Sequence, residues 1–371
     1  MTRWGVISEI LLMSHIDFRR HFDISSEILL LNSGTQSLTP RRVRESQLHH
    51  AAEYERNPTR GLLAAWGMLW KIQKELGQFF GASPGDLFLR PNVSAAMNAF
   101  VLGFRGFSKG DEIAIGALEY GAVAALCRHR AEKDGLTVKV LSHAWRREEL
   151  AQTSPAEFAR RLVEQTSSRT KMLVLSHVLT GTGLVLPITE IARETRPRGI
   201  ALVVDGAHAP GALDLDFRTL GDVDFYGANL HKWMMGPKGT GFGWLPSRRR
   251  QDLWPQFAGW TTYEVPEHFR EFGEGDQFAA SMLMVGCVDF SPFAAISDTL
   301  KFWREFGAPV IQQRQRELAN LVESEVARKT GWRCVSPAQD SKWRGPLVTF
   351  ELPDKLERKG YGVMAELLEQ N

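Results

Sequence analysis

The 371-residue chain reads as an α/β protein: a mostly parallel sheet flanked by helices, followed by a smaller α+β C-terminal domain. Three observations predict this. Short apolar runs rich in β-branched residues (DEIAIG, TVKVLS, KMLVLS, IALVVD) alternate with segments of helical period through the first three quarters of the sequence. From about Phe278 onward the pattern changes to long helical stretches. The length, with 43% hydrophobic residues, is enough for a large core and for a second domain.

Residues 1–25 form an N-terminal segment expected to pack on the body. Its apolar stretch Ile7 to Met13 contains Glu9 and runs into Asp17, Arg19 and Arg20, too short and too charged for a membrane span or a secretory signal. A large domain is assigned to 26–280. After LLLNSG, with Gly34 in a turn, the stretch Arg60 to Phe80 places Leu62, Leu63, Trp66, Leu69, Trp70, Ile72 and Leu76 at helical spacing. GASPGD breaks that helix, LFLR reads as a strand, and a helix then starts at Ser94. The four apolar runs named above follow as strands, then a strand delivering Asn229, then a glycine-rich turn (GPKGTG) into GFGWL. Residues 281–371 are assigned to a connecting helix and the small domain. Ser281 to Thr330 reads as that helix plus the first helix of the domain, WRCVS and GPLVTFEL as short strands, and Met364 to Leu368 as a last helix.

Composition excludes several classes. Lys+Arg (45) and Asp+Glu (43) nearly balance, which implies no broad basic face for nucleic acid or anionic lipid. The run Ser247 to Arg250 (SRRR) reads as a solvated loop. Cys127, Cys287 and Cys334 lie far apart and form no metal-ligand pattern, as expected of a reduced cytoplasmic protein without a metal site.

The chemistry concentrates in two segments, VVDGAHAPGA and DFYGANLHKWMMGPKGTGFGWL. An apolar strand ends in Asp205, His208 follows three residues later, and a second strand delivers Asn229, His231 and Lys232. Pyridoxal 5'-phosphate needs a lysine amine for a Schiff base, a carboxylate to keep its ring nitrogen protonated, and donors for its phosphate. Lys232, flanked by apolar residues, is the Schiff-base lysine of this reading and the base for the α proton, its amine freed by partial burial. The competitor, Lys238, sits in a glycine run that lacks the phosphate-loop spacing, since Gly239 and not Ser or Thr follows it. Asp205 closes a strand where ligands of open α/β sheets bind, and Ser94 with Ala95 supplies a helix N-terminus for the phosphate, although the same serine hydroxyl would serve an ordinary N-cap.

NSGTQSLTP, the NP at 57 and 58, EYGAV, SHVLTGTGLVLP, DGAHAPG and NLHKW together resemble the class V aminotransferase family of fold type I pyridoxal-phosphate enzymes, and His208 with the HKW triplet resembles its isopenicillin N epimerase-like branch. The resemblance spans roughly residues 20 to 350 and implies a seven-stranded sheet in the large domain and a homodimer with sites at the subunit interface. It also implies roles: His208 donates to the cofactor's phenolic oxygen, Thr180 approaches the same oxygen, Tyr120 stacks on the ring, and Asn229 and His231 contact the phosphate. Asn32 and Asn57 are carried over as substrate contacts.

Two departures from the family pattern stand out. Gly275-Asp276 replaces a Gly-Thr whose threonine reaches the partner's phosphate; either the alignment shifts locally, or Thr261 or Thr262 takes that place. The family usually continues past a last helix into a strand bearing the arginine that grips the substrate carboxylate. The sequence ends at Asn371, so on this resemblance either the substrate departs from a standard amino acid or the chain is truncated; Arg60 and Arg344 are the internal candidates for that clamp. Cys334, in what reads as a buried strand, does not resemble the loop nucleophile of a desulfurase. The expected substrate is a small amino-acid-like molecule undergoing epimerisation or carbon–sulfur lysis, with transamination as the alternative. A reading of another class, a catalytically inactive scaffold on the same fold, is opposed by the retention of Asp205, His208, His231 and Lys232.

Overall fold

Among the described residues, seven strands form one sheet in the order β1-β7-β6-β5-β4-β2-β3. The computed structural model describes residues 17–25, 28, 30–142, 146–269, 271–283 and 286–353. The stretch Ile7 to Met13 and the helix expected at Met364 to Leu368 lie outside the described residues. The strands are β1 (Leu87–Arg90), β2 (Glu112–Gly116), β3 (Thr137–Leu141), β4 (Thr170–Ser176), β5 (Ala201–Gly206), β6 (Phe225–Asn229) and β7 (Gly241–Trp244). β2, β3, β4, β5 and β6 pair in parallel, and only β7 runs antiparallel, between β1 and β6.

Alternating side chains bury both faces of this sheet. Leu173, Leu175, Leu202 and Val204 enter one apolar cluster, whereas Met172, Val174, Ala201 and Val203 enter the other. That is why the parallel strands read as continuous apolar runs, each fully buried Val or Leu contributing about 1.5–3 kcal/mol. The second cluster is closed by α3 (Val93–Gly103) and α4 (Gly121–Asp134), the first by α2 (Pro58–Phe80), α6 (Pro155–Val163) and α7 (Ile188–Thr195). The helix expected from Arg60 begins two residues earlier, because Asn57 caps it, its side chain accepting from the Arg60 N–H (3.1 Å), with Pro58 in the first turn.

α1 (Arg41–Arg56) and α5 (Arg147–Gln152) had no periodic signature: α1 buries only Val43, so no apolar stripe marks it. The region from 277 to 330 is broken into α8 (Gln277–Leu283), α9 (Ser291–Ala294), α10 (Ile296–Phe306) and α11 (Ala308–Thr330). Gly307, at φ 80°, separates the last two. Phe302, Trp303 and Phe306 of α10 lie in the same cluster as the sheet, and the Trp303 indole donates to the Met234 carbonyl (2.8 Å), tying α10 to the segment that carries Lys232. Beyond α11 the short strands expected at WRCVS and GPLVTFEL are reduced to antiparallel pairing of residues 333–335 with 349–351.

Candidate active site

β2 is followed in sequence by its outer neighbour β3, whereas β4 is followed by β5 on its other side, so the strand order reverses between β2 and β4. Ligands of open α/β sheets bind at such a reversal, outside the carboxyl ends of the strands. A cavity of about 290 Å³ lies there, lined by Gly34, Thr35, Asn92, Val93, Ser94, Tyr120, Ser176, Val178, Thr180, Asp205, Ala207, His208, Asn229, His231 and Lys232.

One end of the cavity is the N-terminus of α3. Asn92 caps the helix by accepting from the Ala95 N–H (2.9 Å), and the buried Asn229 side chain accepts from the Val93 N–H (2.8 Å). Two of the first-turn donors are thereby consumed, and Ser94, between them in sequence, lines the cavity. His231 donates through Nδ1 to the Thr240 carbonyl (3.0 Å), which leaves Nε2 as its other ring nitrogen. Burial holds the His231 pKa below the usual histidine value.

The other end is built on Asp205 and Lys232. Asp205 is 3% exposed, one carboxylate oxygen accepts from the Ala207 N–H (2.8 Å), and no side chain pairs with it among the described residues. Burial raises its pKa, against the opposing effects of the Ala207 N–H and the Lys232 charge. Lys232 has no carboxylate in ion-pair contact among the described residues, and burial lowers its pKa against the pull of Asp205. Its Nζ lies 3.4 Å from His208 Nε2, which is also 3.1 Å from the Thr180 hydroxyl. The other nitrogen of His208, Nδ1, accepts from the Trp233 indole N–H (3.2 Å). Burial, then the Lys232 charge, pushes the His208 pKa down to about 3. Gly206 follows Asp205 because a Cβ there would lie 2.1 Å from the Tyr226 ring packed behind it.

A third wall comes from the turn after β2. Glu119 turns its carboxylate inward onto Ser176, accepting from that residue's N–H (2.9 Å) and hydroxyl (2.6 Å). Burial, opposed by these bonds and reinforced by the charge of Asp205, raises its pKa to about 7. The anchored turn presents Tyr120, half exposed and with no hydrogen bond to its phenol among the described residues, to the cavity. No sequence pattern marks Glu119 or Ser176 for this contact, although both stand inside the motifs EYGAV and SHVLTGTG.

Ser94, Tyr120, Thr180, Asp205, His208, Asn229, His231 and Lys232 therefore converge on one cavity. Five other candidates do not line it. Ala95 spends its N–H on the Asn92 cap, Asn32 accepts from the Thr35 N–H (3.2 Å), and Asn57 caps α2, whose Arg60 is exposed. Arg344 is buried in an ion pair with Glu323 (2.6 Å), which also holds Arg147 (3.0 Å). Burial disfavours the ionised Glu323, but the Arg147 hydrogen bond and the Arg344 charge outweigh it and hold its pKa below the usual range. Lys238 is likewise spent, donating to the Ser37 carbonyl and the Thr39 hydroxyl and so fastening the segment that brings Gly34 and Thr35 to the cavity. Asp276 caps α8 through the Phe278 and Ala279 N–H groups and pairs with Arg250, so its charge is neutralised within the chain. Thr261 is buried and Thr262 accepts from the Gly259 N–H (2.7 Å). Cys334 is half-buried, bridged to Phe350.

The donor set fits pyridoxal phosphate. Asp205 is a buried carboxylate with no cation in ion-pair contact among the described residues, Lys232 an amine of depressed basicity, and Ser94 a cavity-lining residue at a helix N-terminus. Fold and cavity together define a fold type I pyridoxal-phosphate enzyme. The chain belongs to the class-V aminotransferase family, whose family model matches residues 28–360, and pyridoxal phosphate is its cofactor. It is 32% identical over 332 residues to isopenicillin N epimerase of Streptomyces clavuligerus, covering 88% of this chain and 81% of that one. With the isopenicillin N epimerase of Amycolatopsis lactamdurans the identity is 29% over 359 residues, covering 92% and 85%. Among solved structures, a mutant of C-DES with glycine covalently linked to its pyridoxal-phosphate cofactor superposes with a TM-score of 0.80 at 22% identity, covering 95% of this chain and 89% of that one. C-DES is also known in complex with its product cysteine persulfide, as a cystine C–S lyase, at a TM-score of 0.78 and 22% identity over 91% and 87% of the two chains.

Proposed function

We propose that this enzyme removes the α proton of an amino acid or amino-acid-derived substrate and returns a proton from the opposite side, as an isopenicillin N epimerase-like epimerase. The observation that carries the reading is Lys232, an amine without a carboxylate partner among the described residues, in one cavity with Asp205 and with a second titratable group, the Tyr120 phenol. Pyridoxal phosphate supplies the electron sink that acidifies the substrate's α carbon. Asp205 holds the proton on the ring nitrogen, Ser94 and the α3 N-terminus bind the phosphate, and Lys232 takes the α proton. Epimerisation also needs an acid on the far face, and Tyr120, carried on a different strand end from Lys232, is our candidate.

The epimerase relatives at 29–32% identity support this choice. Carbon–sulfur lysis is the second reading, favoured by the likeness to C-DES. We further propose a cytoplasmic homodimer. Trp254, Phe257, Trp260 and Tyr263, between 49% and 79% exposed, form an aromatic segment that a second copy would cover. No helix among the described residues is long and apolar enough to cross a membrane.

The test is a visible spectrum of the protein with pyridoxal phosphate, borohydride fixation with peptide mapping, and an amino-acid panel in D₂O. We expect the label on Lys232, deuterium at the α carbon and a mixture of epimers. Release of sulfide or persulfide without epimers would move the assignment to the lyase, and absence of the band even with excess cofactor would favour a scaffold. Light scattering of the loaded protein checks the dimer, which a single-chain mass would overturn.

A further inference from the structure

The buried pair Trp233–His208 is absorbed by none of the roles above. Trp233 immediately follows Lys232 in sequence, and its indole N–H points at Nδ1 of His208 (3.2 Å). An indole can only donate, so the nitrogen it faces must carry a lone pair. The seat is built: Gly211, at φ 82°, packs so closely under Trp233 that a Cβ there would lie 2.5 Å from the Trp233 carbonyl carbon, and a Cβ on Gly34 would lie 3.7 Å from the His208 ring and 3.9 Å from the indole. Gln315 of α11 donates to the Trp233 carbonyl (3.5 Å). A flipped imidazole would set a carbon against the indole donor, so the ring has one orientation.

We propose that Trp233 is a positioning residue that sets the tautomer of His208: its N–H keeps Nδ1 an acceptor, so Nε2 carries the ring proton and directs it into the cavity. Two consequences follow. Nε2–H can donate to the Thr180 hydroxyl, 3.1 Å away, or to an acceptor oxygen of the bound cofactor ring. It also faces Lys232 Nζ at 3.4 Å, where an ammonium would oppose one donor with another; the partner this tautomer accommodates is the free amine, the form that attacks a carbonyl. Lys232 is the charged group acting on His208 among the described residues, and Asp205 is the one acting on Lys232. The inference rests on the cofactor that Lys232 binds and is independent of whether epimerisation or lysis follows.

Nitrogen-15 NMR of the cofactor-free full chain, labelled at histidine, tests it directly. The His208 signals are identified by their loss in His208→Gln and by their movement when pyridoxal phosphate is added. We expect a neutral ring protonated at Nε2 that does not titrate between pH 8 and 5. Trp233 is then replaced by Phe and, to keep the bicyclic packing while removing only the N–H, by benzothienylalanine. Either change should shift the tautomer ratio toward Nδ1–H by roughly fivefold or more. Capture of pyridoxal phosphate by Lys232, followed by stopped flow, should slow severalfold at pH 7 and recover at pH 9. A His208 that is Nδ1-protonated or cationic in the unaltered protein, or a nitrogen pattern and capture rate unchanged by the benzothienyl replacement, would overturn the proposal. Because the NMR reading needs no turnover, its failure is distinct from failure of the epimerase assignment.

Discussion

The two ends of the cavity each hold a buried histidine, and the two carry their protons on opposite nitrogens. At the ring end, His208 meets an indole that can only donate, which leaves its proton on Nε2. At the α3 end, where we propose that the phosphate binds, His231 meets the Thr240 carbonyl, which can only accept, so its proton sits on Nδ1 and a lone pair remains on Nε2. Burial depresses both pKa values. His208 is thus a donor toward the cavity while neutral, whereas His231 becomes one only by taking up a second proton. One residue type yields a fixed donor at one end and, at the other, a nitrogen that could donate to an anion only once protonated, and the partner of the opposite ring nitrogen decides which.

The largest effect expected separates both histidines from the residue between their domains of influence. Lys232→Ala should abolish borohydride fixation and cost roughly 10³-fold in α-proton exchange, while cofactor retained through the phosphate end remains detectable by equilibrium dialysis. Equal loss of binding and exchange would show that the phosphate end does not hold the cofactor by itself. A smaller effect should appear in stability. With a pKa near 3 in the folded chain and about 6.5 unfolded, His208 costs nothing above pH 6.5. As pH falls below that value the unfolded state binds the extra proton and stability is lost, by about 2 kcal/mol at pH 5. The gap in chemical-denaturation stability between the cofactor-free protein and His208→Gln should therefore narrow by that amount from pH 8 to pH 5. A constant gap would mean that His208 is not held neutral. Glu119, raised to about 7, should behave oppositely: its burial weakens the fold as pH rises from about 4.5 through 7, so Glu119→Gln gains relative stability at pH 8.

How much of this was legible in the sequence follows from where each interaction lies along the chain. Asp205, His208 and Lys232 could be read because each ends or follows an apolar strand, and the strand end alone places it at the ligand edge. The contacts that build the cavity walls around them were not legible. Glu119 reaches Ser176 across 57 residues, and Asn229 reaches the Val93 N–H across 136; both depend on sheet register, which no local pattern encodes. Asp276 looked like a charge set against a phosphate because Arg250, 26 residues away, was not visible as its counter-ion. Arg344 looked like a free guanidinium for the same reason: its neutralising carboxylate, Glu323, lies on a helix whose apolar stripe is weak.

The subtlest consequence concerns the phosphate end. If His231 contacts the phosphate through Nε2, it must be the imidazolium, since Nδ1–H is committed to Thr240. Its depressed pKa means the proton is absent before binding near neutral pH and is taken up with the dianion. Linkage then makes affinity fall as pH rises, by up to about tenfold per pH unit over the range where only the complex holds the proton. His231→Gln, which presents an amide donor at similar reach without titrating, should bind pyridoxal phosphate with a flatter pH dependence, and the difference between the two slopes isolates His231 from the titration of Lys232 and of the phosphate itself. Calorimetry in buffers of different ionisation enthalpy should give one proton fewer taken up by the variant. Equal slopes and equal proton counts would place the phosphate on Ser94 and the α3 N-terminus alone, and His231 would then be a support for the Thr240 turn.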